Sequence, residues 1–352
     1  MLESIYYVIS WACLHACPHC YDERFRPYSE SELAGLTARS KAAFPSIVSH
    51  LPESMVYTDL EDQQKDGSFP KKIGRIILAG GEVLLDPVRT EMLYPLLDKL
   101  SERYASKGGV KLAIQTTGDL LNQEIIRDLL TRNVWMISVS SLDDFHQSIV
   151  REGRDAFRAR LTAMFEASGM QASGLETGVR KWPDEEGPVY SFFGATPDAW
   201  IGKLWPSGRA WKKCLSTATF QDSFCNNWSG GLNFLNVGYS GSEVAIDPDG
   251  NIYPCCRKTR LPYGNVAEEP LIQILESLVG QAELEAITTG HPERMGIGHG
   301  VNVTEFLELS RTTNTKGEVY VNRCIGCDRL HELHLAPVLE RLQRDRRLKN
   351  LS

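Results

Sequence analysis

No stretch of this chain reaches the roughly 18 uninterrupted apolar residues that a membrane-spanning helix needs. Its start also lacks the basic segment and small-residue cleavage site of a secretory leader. Positive charge is not in surplus: 38 Lys and Arg stand against 45 Asp and Glu, a formal net charge of -7. Neutralising phosphates takes a basic stripe, so neither a nucleic acid nor a membrane is an expected partner. A cytoplasmic protein that acts on small molecules or peptides is the expectation. The nine cysteines are odd in number, and in a large, unsecreted chain they favour metal binding over a disulfide framework. With 42% hydrophobic and 24% charged residues the chain is an ordinary globular one, for which 352 residues suggest about two domains.

What the chain does have is concentrated near its start. Directly after the apolar run Ile5 to Ile9, the segment Trp11 to Tyr21 carries Cys13, Cys17 and Cys20, spaced by three and then two residues. Thiolates are the soft ligands that iron-sulfur clusters select, and three on one loop can hold three corners of a [4Fe-4S] cluster. The fourth iron is left open, as a catalytic zinc keeps an open position. A zinc site, or three unrelated buried cysteines, is the competing reading.

At these residues the chain resembles the radical S-adenosylmethionine (radical SAM) enzymes, whose motif has this spacing and an aromatic after the last cysteine, here Tyr21. The resemblance implies that the amino and carboxylate groups of SAM chelate the open iron. It also implies a flavodoxin- or ferredoxin-type reductant, whose electron splits SAM to methionine and a 5′-deoxyadenosyl radical that abstracts hydrogen from a substrate.

Strand and helix patterns alternate through the first half. Arg75 to Leu78, Leu112 to Thr116 and Val134 to Val139 read as buried strands, and each is followed by a helical pattern, such as Leu93, Leu96, Leu97 and Leu100. Ser29 and Glu32 form a capping box for a helix after the cysteine loop. Such alternation means a parallel α/β sheet with right-handed crossovers. The resemblance makes it a partial (β/α)6 TIM-like barrel over 1–210, with a smaller C-terminal α+β auxiliary-cluster domain over 211–335 and a C-terminal helix over 336–352. The Leu204 to Ala210 segment resembles a Gly-Arg-Ala stretch near the end of the barrel in relatives.

For SAM itself, the resemblance points to Gly80, Gly81 and Glu82, where two glycines let a ligand approach the backbone and the carboxylate accepts from the SAM amino group. Ser138, Arg151 and His19 are further candidate SAM contacts, beside the Asp143 to His146 run. Trp182, Tyr190, Trp200 and Trp205 fit ordinary core better than pocket wall.

Glu243 to Ile246, the turn Asp247-Pro248-Asp249-Gly250 and Asn251 to Tyr253 form a β-hairpin that delivers Cys255 and Cys256. This segment, Tyr263 to Val266 and the pair Cys324 and Cys327 resemble the auxiliary-cluster domain of part of the family, in its full (SPASM) or short (twitch) form. One second, auxiliary [4Fe-4S] cluster is expected, because two would need more thiols than the six downstream. Cys255, Cys324 and Cys327 match three ligands; Cys225 is taken as the fourth, with Cys214 as its alternative, and Cys256 competes for the place of Cys255. A structural zinc cage is the competing reading, and His331 to His334 reads as helix surface.

The expected function is hydrogen abstraction from a small polar metabolite or a peptide side chain, with oxidation aided by the auxiliary cluster. A spare downstream cysteine could instead donate hydrogen, which makes a redox-neutral decarboxylase or epimerase the alternative. A non-catalytic iron-sulfur or zinc scaffold is the third reading. The peptide-acting branch usually has a peptide-binding domain before the barrel, and a cluster loop that begins at residue 13 leaves no room for one.

Overall fold

The computed structural model describes residues 1–176, 179–196 and 203–349; Trp200 lies outside them. The sheet that organises the molecule has eight strands: β1 (Ser4–Ser10), β2 (Arg75–Gly80), β3 (Lys111–Thr116), β4 (Val134–Val139), β5 (Gln171–Ala172), β6 (Val189–Phe192), β7 (Glu243–Ile246) and β8 (Ile252–Tyr253). Their spatial order is β8-β7-β1-β2-β3-β4-β6-β5, and every pairing but β7 with β8 is parallel. The sheet is open, with short strands at both edges, as in a partial barrel.

Side chains alternate across each strand, which sorts them into two cores. Tyr6, Val8, Ile77, Ala79, Ala113 and Met136 fill the concave interior. Their neighbours Ile5, Tyr7, Ile76, Leu78, Ile114 and Ile137 face the helices. The helices answer with the expected residues. α1 (Glu30–His50) starts with Glu32 accepting the Ser29 N–H at 3.0 Å, and α2 (Tyr94–Ala105) buries Leu96, Leu97 and Leu100 completely. Truncating one such leucine to alanine costs about 2–5 kcal/mol.

Three features depart from the expectations. The Glu243–Tyr253 hairpin forms, with the N–H groups of Asp249 and Asn251 both donating to Asp247 Oδ1 at 3.0 Å, but its first strand pairs with β1, so one sheet runs on into the downstream region. The C-terminal helix (Ala336–Lys349) buries Leu339 and Leu342, yet its basic face is not all outward: Arg346 turns in and makes two 2.7 Å hydrogen bonds to Glu269. His331 is fully buried instead of lying on a helix surface. It sits one turn past Cys327 on a helix (Arg323–Leu330) that runs into a wider π-type turn.

Candidate functional site

The parallel strands β1 to β4 and β6 point their C-terminal ends at one face, where barrels of this kind place their ligands. A cavity of about 200 Å³ opens there. Cys13, Cys17 and Cys20 line it together with Gly80, Gly81, His19 and Arg209.

The cysteine loop is fixed from two sides. Beneath it, the N–H groups of Gly81 and Glu82 donate to the carbonyls of Ser10 and Ala12, at 3.1 and 2.8 Å. A Cβ on Gly81 would lie 2.1 Å from the Ala12 carbonyl oxygen, so only glycine allows this approach. Above it, Arg209 donates from Nε to the Cys17 carbonyl (2.8 Å) and from Nη2 to the Phe25 carbonyl (2.7 Å), while its backbone N–H donates to the Cys20 carbonyl (2.8 Å). Gly208 has φ +56°, and a Cβ there would meet the Tyr21 carbonyl carbon at 2.4 Å. The Gly-Arg-Ala segment is thus a clasp over the loop.

The three thiols form no disulfide, and Cys13 and Cys17 are buried. Burial pushes Cys13 up to about 12 and also raises Cys20, with neighbouring thiols adding to the effect at Cys13. Thiolates there need a cation beside them, which an iron cluster supplies. The residues fit such a group: three converging soft ligands, an open side toward the cavity, and glycine backbone at its floor.

The candidate SAM residues separate into two sets. Gly80, Gly81 and His19 line the cavity, but Glu82, Ser138 and Arg151 do not. Glu82 is fully buried and accepts four hydrogen bonds, from Thr116 Oγ1 (2.7 Å), Thr117 N (2.8 Å), Thr117 Oγ1 (2.6 Å) and Leu84 N (2.9 Å). Its carboxylate braces the strand ends from behind. Ser138 points into the barrel interior and bonds the Ser191 hydroxyl at 2.7 Å; Ser140, two residues on, reaches the cavity. The Arg151 side chain is 71% exposed and reaches Asp119 (3.1 Å), which in turn lies 3.7 Å from the cavity residue His15.

Opposite the loop, Asp143 accepts the N–H groups of Phe145 and His146, at 2.8 and 3.0 Å, and also lies 2.8 Å from His146 Nδ1. His19, Asp143 and His146 bring one ligand atom each within 4.8 Å of one another. Burial lowers His19 to about 4, with His146 adding to the effect and Asp143 opposing it, so His19 is a neutral ring at the cavity wall. Tyr6, Gln115, Thr117, Asn227 and Trp228 also line the cavity and had no sequence signal beyond their strand or loop positions. Trp205 is a cavity wall, whereas Tyr190 packs in the core.

The downstream cysteines divide cleanly. Cys225, Cys255, Cys324 and Cys327 line one small chamber. Cys324 and Cys327 sit on the first turn of the Arg323–Leu330 helix, where Asn322 Oδ1 accepts the Cys324 N–H at 2.9 Å. Burial raises all four, Cys324 to about 11, and mutual repulsion contributes at Cys225. Arg257 enters this negative environment, donating to the Cys324 carbonyl (3.3 Å) and to Asp328 (2.8 Å). Behind it, His331 donates from Nδ1 to the Cys327 carbonyl at 2.7 Å and accepts the Tyr263 hydroxyl at Nε2, 2.9 Å away. Four converging thiols with a guanidinium beside them suit an iron-sulfur cluster, whose thiolates carry surplus negative charge.

Cys214 and Cys256 stand outside this cage. Cys214 lies 3.1 Å from the Thr315 hydroxyl. Cys256 faces the larger cavity instead, and Trp205, Phe224 and Ser229 line both spaces. The Cys255–Cys256 dipeptide therefore puts one thiol in each.

Residues 7–191 match the model of the radical SAM superfamily, and residues 239–293 match that of the SPASM iron-sulfur cluster-binding domain. No curated protein matches in sequence. Among solved structures, BtrN in complex with AdoMet and 2-DOIA is similar at 12% identity, over 87% of this chain and 92% of that one, with a TM-score of 0.41. A tagged form of anSMEcpe with bound AdoMet is similar at 12% identity, over 97% and 95% of the two chains, with a TM-score of 0.40. Streptococcus suis SuiB bound to S-adenosylmethionine is similar at 12% identity, over 78% and 65%, with a TM-score of 0.35. Among the described residues, no helix is long and apolar enough to cross a membrane.

Proposed function

This chain belongs to the radical SAM superfamily, with a [4Fe-4S] cluster, SAM and further iron-sulfur in its SPASM domain as cofactors, and from that premise we propose that it oxidises a small polar substrate or a peptide side chain. When bound, the reduced cluster and SAM supply a 5′-deoxyadenosyl radical that takes a hydrogen atom from substrate carbon. Cys13, Cys17 and Cys20 hold the cluster, and Gly80, Gly81, His19 and Ser140 form the SAM side of the cavity. Cys225, Cys255, Cys324 and Cys327 hold the auxiliary cluster.

The observation that carries the oxidative reading is the shared wall. Trp205, Phe224 and Ser229 separate the two spaces by a single layer of side chains, so a surplus electron from the cavity has an acceptor site next door. Asp143 and His146 form a hydrogen-bonded pair at the cavity, suited to taking the proton that oxidation releases. The test is anaerobic reconstitution with iron and sulfide, reduction, addition of SAM and quantification of 5′-deoxyadenosine against Cys17→Ala. Cleavage in the native chain alone supports the radical chemistry that oxidation requires, with an oxidised product as the further mark of this reading, while iron-loaded protein that binds no SAM overturns it.

A second reading rests on Cys256. Burial pushes this thiol well above its ordinary range, so it keeps its hydrogen, and it faces the same cavity. Donation of that hydrogen atom to a substrate carbon radical would leave a thiyl on Cys256, and its return to the thiol by one electron from the adjoining auxiliary-cluster site and one proton from solvent would make the reaction a redox-neutral epimerisation.

A further inference from the structure

Two residues beyond Cys256, a lysine leaves its own domain. Lys258 holds a left-handed backbone at φ +68°, rare for a long side chain, with its N–H donating to the Cys255 carbonyl at 3.0 Å. Its side chain, 6% exposed, runs to the underside of the cysteine loop and places Nζ 3.0 Å from Asp22 Oδ2. Three rings surround the ammonium: Trp11 at 4.9 Å, Tyr21 and Phe25 both at 5.3 Å. A buried ammonium is costly unless it is paired, and a carboxylate with ring faces is the pairing found here.

The pairing does not neutralise it. Asp22 also accepts from Arg24, at 2.9 Å from Nε and 2.7 Å from Nη2. Two cations therefore share one carboxylate, although the Arg24 side chain is half-exposed and also faces Asp247. This group of charges adjoins Cys20, whose Sγ lies 3.4 Å from the Asp22 carbonyl, and there Lys258 acts with Arg209 against the Asp22 charge.

We propose that Lys258 is the positioning residue through which the C-terminal domain raises the reduction potential of the cluster on the cysteine loop. This rests on the assignment of Cys13, Cys17 and Cys20 as its ligands, and the effect is electrostatic. Reduction adds one negative charge to a buried site, and a desolvated cation beside Cys20 stabilises that state far more than a surface charge would. The same ammonium anchors Asp22 and so ties the loop to the segment that carries Cys255 and Cys256.

The test uses the full-length, iron-loaded protein. Its readout is the midpoint potential of the cluster whose electron paramagnetic resonance signal changes on adding SAM, for native, Lys258→Met, Lys258→Arg and Asp22→Asn chains. Lys258→Met should make reduction about tenfold less favourable, a fall of about 59 mV for a one-electron couple. Lys258→Arg should stay near native, and Asp22→Asn should rise. A native potential in Lys258→Met, or an equal fall in Lys258→Arg, overturns the inference. Should Lys258→Met fail to fold or load iron, Asp22→Asn decides, and no rise there overturns it. Failure of the cluster assignment is separate: the native protein would then show no SAM-responsive signal at all.

Discussion

Arg209 Nε donates to the carbonyl of Cys17 at 2.8 Å, across 192 residues of chain. With its bonds to the Phe25 and Cys20 carbonyls it closes the cluster loop from the far side of the barrel. Hydrogen bonds from a charged donor contribute about 1.5–3 kcal/mol each, so Arg209→Ala should destabilise the protein by about 2 kcal/mol or more in urea unfolding. It should also lower the iron retained by the loop. Unchanged stability with native iron content would show that the loop holds itself.

The four-thiol chamber predicts a sharp division among single cysteine variants. Cys225→Ala, Cys255→Ala, Cys324→Ala and Cys327→Ala should each lose one cluster's worth of iron and sulfide, and Cys214→Ala should lose none. Iron and sulfide analysis after reconstitution reads the result. Retention of both clusters in Cys225→Ala would return the fourth position to another ligand.

Much of the candidate site was legible from spacing alone, because thiols that could hold one cluster from a single loop or helix must sit close in sequence. Cys13, Cys17 and Cys20 do, and so do Cys324 and Cys327. Glu82 was legible as a turn residue but not in its direction: which way a carboxylate points depends on the hydroxyls of Thr116 and Thr117, one strand away. The Arg151 guanidinium goes to Asp119, a partner that only the fold brings near. The strand Val189–Phe192 escaped detection, since four residues among glycines and prolines carry no usable period. Lys258 gave no sign either, because a buried lysine and an exposed one look alike until the three rings around it are placed.

His19 makes stability depend on acid in a predictable direction. Its folded value of about 4 lies below the ordinary 6.5, so the unfolded chain binds the proton more readily. Its contribution is full above pH about 6.5 and is lost as pH falls toward 4, a change of about 3 kcal/mol at 1.36 kcal/mol per unit. His19→Asn should flatten that part of the profile. Urea unfolding of iron-free protein between these pH values measures it, and an equal slope in the variant would assign the acid sensitivity elsewhere.

Cys256 decides between the two reactions, and it can be tested before any substrate is known. Its thiol exchanges hydrogen with solvent, and it faces the cavity that Cys20 and Gly81 also line. In heavy water, with a thiol-free reductant and no added substrate, SAM cleavage should then place one deuterium in 5′-deoxyadenosine as the S–D bond breaks and the C–D bond forms. The sulfur is left as a thiyl radical. Cys256→Ala should cleave SAM without that label, while Cys214→Ala should keep it, because Cys214 bonds Thr315 away from the cavity. Equal labelling in native and Cys256→Ala protein would show that this thiol gives no hydrogen into the cavity, and the redox-neutral reading would lose the observation it rests on.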